Sequence, residues 1–200
     1  MSPSEDRWGR SGELIAVGGG EGGARYACVS CHGARGEGNG FDAPRLAGLP
    51  AGYLQKQMED YAAGLRPHAL MRDVARFLDS HERVRVARHY AALPLPRDYA
   101  ALPVPVSAAE APALVAPALY ARACEQCHGA DAGGTPRGPP LAGQPAFYLA
   151  QQLQDWQVSK RRNDGRHEMV KVAQALSAAE VEGLSRYLSQ IPPRPARPVR

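Results

Sequence analysis

The apolar residues of this chain recur at the spacings of an α-helix, and the alternation of apolar and polar residues that marks a strand is absent. Two segments each place four large side chains on one helical face. These are Tyr53, Gln57, Met58 and Tyr61, and Tyr148, Gln152, Leu153 and Trp156. A last helix is predicted to begin at Ser177, an N-cap residue with Glu180 at position N3, and to stop at Pro192. Residues 80–93 form its earlier counterpart.

The helical segments belong to two copies of one unit. The heptapeptide CVSCHGA at 28–34 returns as CEQCHGA at 124–130, and LAG and YL at 46–48 and 53–54 return at 141–143 and 148–149. Further on, a Met-Val-Ala-Leu set returns, with Met71, Val74, Ala75 and Leu78 matching Met169, Val172, Ala173 and Leu176. The separation drifts only between 95 and 98 residues, as small loop insertions would produce.

The order of these features predicts an all-α fold of two tandem domains, each with helix, long loop, helix, loop and helix. The chain then divides into five segments. They are a flexible N-terminus at 1–12, a first domain at 13–93, a Pro/Ala-rich linker at 94–116, a second domain at 117–191, and a Pro/Arg-rich tail at 192–200. Units of about 80 residues bury little apolar surface. A bound cofactor is therefore expected to supply much of each core.

The charge and hydropathy of the chain exclude two classes of protein. Lys and Arg number 24 against 20 Asp and Glu, a formal net charge of +4, which is too small for a nucleic-acid-binding protein. The densest basic run, Lys160, Arg161 and Arg162 with Arg166 nearby, is interpreted as a solvated loop. No stretch approaches 18 consecutive apolar residues, so we predict no membrane span.

The N-terminal residues 1–20 lack the apolar core and the cleavage site of a secretory signal. We therefore expect that a signal or anchor was removed before this numbering begins, or that export follows another route.

All four cysteines lie in two CxxCH segments, which leaves none for a disulfide or a free thiol. The segments contribute Cys28, Cys31 and His32, and Cys124, Cys127 and His128. In CxxCH the two thiols are spaced to add across the vinyl groups of a haem, while the adjoining histidine reaches the iron. The sequence therefore predicts two covalently bound haem c groups with His32 and His128 as proximal iron ligands.

Zinc sites and redox dithiols also use CxxC, but neither fits this chain. A zinc ribbon places its second cysteine pair about 15 to 20 residues after the first, whereas these pairs are 96 residues apart. A thioredoxin-like dithiol needs a βαβ context, which the pattern lacks.

The sixth position on each iron can hold a methionine or a second histidine, or stay open for a ligand. Of four methionines, only Met71 and Met169 occupy equivalent places in the two copies. A lone methionine is normally core filler, but this recurrence favours Met71 and Met169 as axial ligands.

The histidine alternative is weaker, because neither His68 nor His167 recurs in the other copy. His81 and His89 lie on the Arg-rich third helix of the first copy and are interpreted as surface residues. Mixed ligation in one domain remains an alternative.

Two further pairs of equivalent residues have an open role. The carbonyls of Pro44 and Pro139 could accept the second ring N–H of each ligand histidine, or the prolines could only shape the loop. Tyr53 and Tyr148 could touch a haem propionate, although core packing with a satisfied hydroxyl is favoured.

Read in order, CxxCH-Gly, Pro-x-Leu-x-Gly, Tyr-Leu with a helix, and a methionine before the final helix resemble class I cytochromes c. The closest resemblance is to the tandem di-haem cytochromes c in which that unit is duplicated. It covers nearly everything except the first twenty residues, the linker and the tail. The resemblance implies two tandem class I domains, low-spin haems ligated by histidine and methionine, a periplasmic location and transfer of single electrons. The first copy departs in having Pro44 alone where the second has Pro139 and Pro140.

Cytochromes of this kind act as free carriers to terminal oxidases, or as the cytochrome subunit of dehydrogenases that oxidise sulfur compounds or alcohols. The resemblance thus implies a redox protein partner, such as a terminal oxidase or a dehydrogenase, and an electron-transfer protein without catalytic residues. The alternative is a haem enzyme, a peroxidase or a sulfur-compound-oxidising cytochrome, with one open or labile axial site.

Overall fold

The computed structural model describes residues 11–95 and 111–194, and in the second range side chains from residue 116 onward. Regular structure in these ranges is helical, apart from one isolated bridge between Thr135 and Gly138. The α-helices are α1 (Gly12–Gly18), α2 (Val29–His32), α3 (Ala51–Ala62), α4 (Ala69–Phe77), α5 (Ser80–Ala92), α6 (Ala111–Ala123), α7 (Glu125–His128), α8 (Ala146–Gln157), α9 (Glu168–Gln174) and α10 (Ala178–Gln190). The predicted all-α fold is confirmed.

The two copies build two separate hydrophobic cores. In the first, α5 packs against α1 and α3, and α3 also packs against α4. In the second, α10 packs against α6 and α8, and α8 against α9. The core residues of the first copy include Ile15, Leu54, Val86 and Tyr90, and those of the second include Tyr120, Leu149, Val181, Leu184 and Leu188. Each unit is therefore a small helical domain with its own core.

The last helix of each domain begins with a capping box. The Ser177 hydroxyl accepts a hydrogen bond from the backbone N–H of Glu180, whose carboxylate accepts from the backbone of Ser177 in return. This is the helix start that the sequence predicts. In the first domain the cap is Asp79, and Glu82 completes the same reciprocal pair.

Three segments differ from the sequence prediction. Helix α6 begins at Ala111, so residues 111–116 of the predicted extended linker are helical. The prolines suggested extension, but six of the thirteen residues of α6 are alanine, the residue with the highest helix propensity. In addition, the short helices α4 and α9 occupy the stretch that was predicted as the second loop of each domain. The predictions for residues 1–10, 96–110 and 195–200 fall outside the described residues.

The two domains meet in a contact that includes buried backbone groups. The amide of Gln144 pairs with the backbone of Arg45, accepting from its N–H and donating to its carbonyl, both at 3.0 Å. The Arg45 guanidinium, whose residue is only 1% exposed, donates to the carbonyl oxygen of Ala142 at 3.2 Å. At the rim the Phe41 and Phe147 rings stack with centroids 4.3 Å apart. Among the described helices, none is both long and apolar enough to span a membrane.

The capping box of α5 can be tested with a matched pair of variants. The Asp79 carboxylate accepts a hydrogen bond from the Glu82 N–H at 2.7 Å. Asp79→Ala removes this acceptor, so we expect the free energy of unfolding to fall by about 1 kcal/mol. Chemical unfolding of the haem-loaded protein measures this loss. The control is Ser80→Ala, an exposed neighbour, which should change the free energy of unfolding by less than about 0.5 kcal/mol. Equal effects of the two substitutions would contradict the capping role.

Candidate haem sites

Each CxxCH segment forms a single helical turn that ends in its histidine. Helix α2 follows Cys28 and ends at His32, and α7 follows Cys124 and ends at His128. The next residues, Gly33 and Gly129, have φ of 80° and 84°, a conformation that glycine adopts without steric cost. The chain therefore turns away directly after each histidine. None of the four cysteines is in a disulfide.

Both histidines are buried and oriented by a backbone carbonyl. His32 Nδ1 lies 2.8 Å from the carbonyl oxygen of Pro44, and His128 Nδ1 lies 2.8 Å from that of Pro139. Because a carbonyl only accepts hydrogen bonds, Nδ1 carries the proton in each ring and Nε2 keeps its lone pair. Of the two interpretations of these prolines, carbonyl acceptance by the histidine ring is thus the one that the structure shows.

Burial keeps these side chains in their neutral forms. Desolvation lowers the pKa of His32 and of His128, although the hydrogen bond to each proline carbonyl opposes the shift. Burial also raises the pKa of the Cys28 thiol, and that of Cys124 to about 11. A neutral imidazole is the form that binds a metal. A raised pKa keeps these two buried thiols in the protonated form.

A single cavity of about 940 Å³ runs through both domains and connects the two CxxCH segments. This volume lies at the upper end of the usual range for ligand sites, about 300 to 1,000 Å³. Its wall includes all four residues expected to hold each haem. The sets are Cys28, Cys31, His32 and Met71, and Cys124, Cys127, His128 and Met169.

The two methionines occupy the first turns of α4 and α9, and both side chains are half-buried. Polar side chains hold these turns in place. His68 Nδ1 accepts a hydrogen bond from the backbone N–H of Met71 at 3.2 Å, and Asp164 Oδ2 accepts from that of Met169 at 2.5 Å. Each methionine is thus positioned by a cap on a short helix, which sequence periodicity did not predict.

The remaining histidines are placed differently from His32 and His128. His81 is exposed and His89 half-buried on α5, and neither contributes to the cavity wall. His68 does line the cavity but is exposed, with its Nδ1 engaged by Met71 N–H. His167 is exposed and precedes α9.

One interpretation from the sequence was wrong. Arg161, assigned to a solvated basic loop, is only 4% exposed and lies on the cavity wall. Arg66, which no local sequence pattern marks, is equally buried and donates to the Tyr148 hydroxyl at 2.7 Å. The signal that could have found both is the repeat itself, because Arg66 and Arg161 are 95 residues apart, like Gln57 and Gln152.

The residues on this wall fit two haem c groups. Each half offers a thiol pair, a neutral imidazole and a thioether, the donor set of a covalently attached haem with two axial ligands. The wall also presents donors suited to carboxylates. Within the described residues, Arg66 Nε and Trp156 Nε1 are buried and have no acceptor.

The family model for cytochrome c matches residues 21–83 and 115–192, one match in each half of the chain. The chain belongs to the cytochrome c family. It is a tandem di-haem cytochrome that binds two covalently attached haem c groups and transfers electrons.

This cytochrome is similar to several curated proteins over most of its length. It is 38% identical to the thiosulfate dehydrogenase electron acceptor of Stutzerimonas stutzeri, over 90% of this chain and 86% of the relative. It is 31% identical to cytochrome c4 of Pseudomonas aeruginosa, over 80% of this chain and 82% of the relative.

Solved structures agree with this placement. A thiosulfate dehydrogenase (TsdBA) from Marichromatium purpuratum matches with a TM-score of 0.77 and 32% identity over 90% of this cytochrome, which spans 40% of that longer chain. Cytochrome c4 from Acidithiobacillus ferrooxidans matches with a TM-score of 0.69 and 28% identity, covering 82% of this cytochrome and 98% of that chain.

Proposed function

We propose that each domain holds its haem with one predicted set of four residues. Cys28 and Cys31 form the thioether bonds of the first haem, and His32 and Met71 are its axial ligands. In the second domain the corresponding residues are Cys124, Cys127, His128 and Met169. The observation that carries this proposal is the buried imidazole bonded to a proline carbonyl, which recurs at 2.8 Å in both domains on the wall of one cavity.

The protein side chains keep each iron in a closed site. The carbonyls of Pro44 and Pro139 hold the imidazoles in one orientation and fix the proton on Nδ1, which leaves Nε2 as the ligand atom. When bound, the haem supplies a one-electron couple, and methionine ligation raises its reduction potential. Ligands on short helices that are anchored by His68 and Asp164 need to move little when the charge changes.

Closed sites suit electron transfer better than catalysis, so the physiological partner is a separate redox enzyme. The names of two similar proteins support one partner in particular, since both a curated relative and a structural neighbour are named for thiosulfate dehydrogenase. This cytochrome therefore accepts electrons from a thiosulfate dehydrogenase, one electron for each haem. Its compartment is the periplasm.

The attachment residues are tested by counting haems. In the double variant Cys28→Ala/Cys31→Ala, the first domain lacks both thiols, so we expect covalent haem to fall from two per chain to one, measured as the pyridine haemochrome after acid-acetone extraction. The matched variant Cys124→Ala/Cys127→Ala should also retain one. Two covalent haems in either variant would exclude that pair as the attachment site.

The axial methionines are tested by optical spectroscopy. Ferric iron bonded to methionine sulfur has a weak far-red band, and we expect Met71→Ala and Met169→Ala each to lose about half of it and to lower one reduction potential. Met58→Leu is a demanding control, because Met58 also lines the cavity, and it should keep the whole band. A band that survives both alanine substitutions would contradict methionine ligation.

The electron donor is tested by mixing the oxidised cytochrome with a thiosulfate dehydrogenase and thiosulfate. We expect both haems to become reduced, seen as growth of the reduced α-band to the level that dithionite gives. Thiosulfate without the dehydrogenase should leave the cytochrome oxidised. Rapid reduction by thiosulfate alone would instead support the sulfur-compound-oxidising haem enzyme, and no reduction in the complete mixture would exclude this partner.

A further inference from the structure

Two arginines are buried where the domains meet, one from each domain. Arg66 and Arg161 are each 4% exposed. Each guanidinium lies over an aromatic ring of its own domain: Arg66 Cζ is 4.6 Å from the centre of the Tyr61 ring, and Arg161 Cζ is 3.9 Å from that of Trp156. The positions are equivalent in the repeat, so duplication has placed one cation on each side of the boundary.

The hydrogen bonds of both arginines cross that boundary. Arg66 Nη2 donates to Tyr148 Oη and to Gln152 Oε1 of the second domain, both at 2.7 Å. Arg161 Nη2 donates to Gln57 Oε1 of the first domain at 3.0 Å, and Arg66 Nη1 donates to the same oxygen at 3.0 Å. Arg66 Nη1 and Arg161 Nη2 share this acceptor, so these two nitrogens are separated by at most twice the 3.0 Å of each hydrogen bond.

The residues that the structure describes do not neutralise this pair of charges. Within the described residues neither guanidinium forms an ion pair, and the acceptors of both are side-chain amide oxygens and the Tyr148 hydroxyl. The nearby carboxylate of Asp60 is bonded instead to Lys56 at 2.5 Å and to Asn163 at 2.7 Å. Two like charges this close in a buried site repel each other strongly unless an anion lies between them.

Unused donors at the same place point to an anionic ligand. Arg66 Nε and Trp156 Nε1 are buried without an acceptor among the described residues, and both side chains line the cavity that holds the haem sites. Buried N–H groups are nearly always paired, and carboxylates are the acceptors that a guanidinium fork matches best.

We infer that Arg66 and Arg161 form one anion site across the domain boundary, which takes a carboxylate from the haem of each domain and thereby docks the domains together. This inference rests on the haem attachment proposed above. The arginines are positioning residues: they hold the two haem-bearing domains in one relative orientation. Because each guanidinium contacts both domains, each also adds a positive charge to the surroundings of both haems, which favours the reduced form of either iron.

The test uses the haem-loaded variant Arg66→Gln, which removes the charge and leaves a polar side chain. We expect the reduction potentials of both haems to fall in a spectroelectrochemical titration, and the maximum dimension of the protein in small-angle X-ray scattering to increase as the domains separate. Arg161→Gln should give the same two results. The control Arg162→Gln changes the exposed neighbour and should give neither.

Further variants separate charge from packing. Arg66→Lys keeps the charge without the planar fork, so the potentials should stay closer to those of the unaltered protein than in Arg66→Gln. Gln144→Ala removes a domain contact outside the anion site and should loosen the domains with a smaller change in potential. A potential shift confined to the first haem, or unchanged scattering in both glutamine variants, would overturn the inference. A haemochrome count below two in the unaltered protein would instead contradict the haem assignment itself.

Discussion

Neither domain fills its own interior, and the rest of the structure follows from that constraint. Each has one small cluster of buried apolar residues formed by three main helices, while a cavity of about 940 Å³ passes through both. Small units bury a smaller fraction of their surface than large domains do, so a large planar cofactor adds a substantial part of each core. The long loops, the single-turn helices α2 and α7 and the caps before Met71 and Met169 all present side chains to this space.

Much of the site follows from the sequence because covalent haem attachment needs residues that are adjacent along the chain. CxxCH is a local pattern, and the pairing of Met71 with Met169 follows from the order of features in the repeat. Whether the Pro44 carbonyl reaches His32 depends on the path of a loop twelve residues long, so the sequence left two interpretations where the structure shows a hydrogen bond of 2.8 Å.

The domain contact could not be predicted from the sequence, because the burial of a side chain depends on residues that lie far away along the chain. An arginine in a basic, loop-like segment is exposed unless another part of the chain covers it, and the covering residue of Arg161, Gln57, lies 104 positions away. Local composition therefore assigned Arg161 to solvent. Helix α6 shows the reverse case, since the helix propensity of its alanines outweighs the effect of its prolines.

The contacts between the domains follow the pattern of a two-fold symmetric dimer interface, although both domains belong to one chain. In a two-fold interface, if residue i contacts residue j of the partner, then j contacts i in return. Here Arg66 donates to Gln152, and Arg161, its equivalent in the repeat, donates to Gln57, the equivalent of Gln152. Such an interface necessarily brings each charge towards its own copy, so a duplicated arginine near the axis creates a pair of like charges. The haem carboxylates are also present twice, one from each domain, and they offset that repulsion. The duplication of the chain therefore accounts both for the pair of arginines and for the pair of anions that stabilises it.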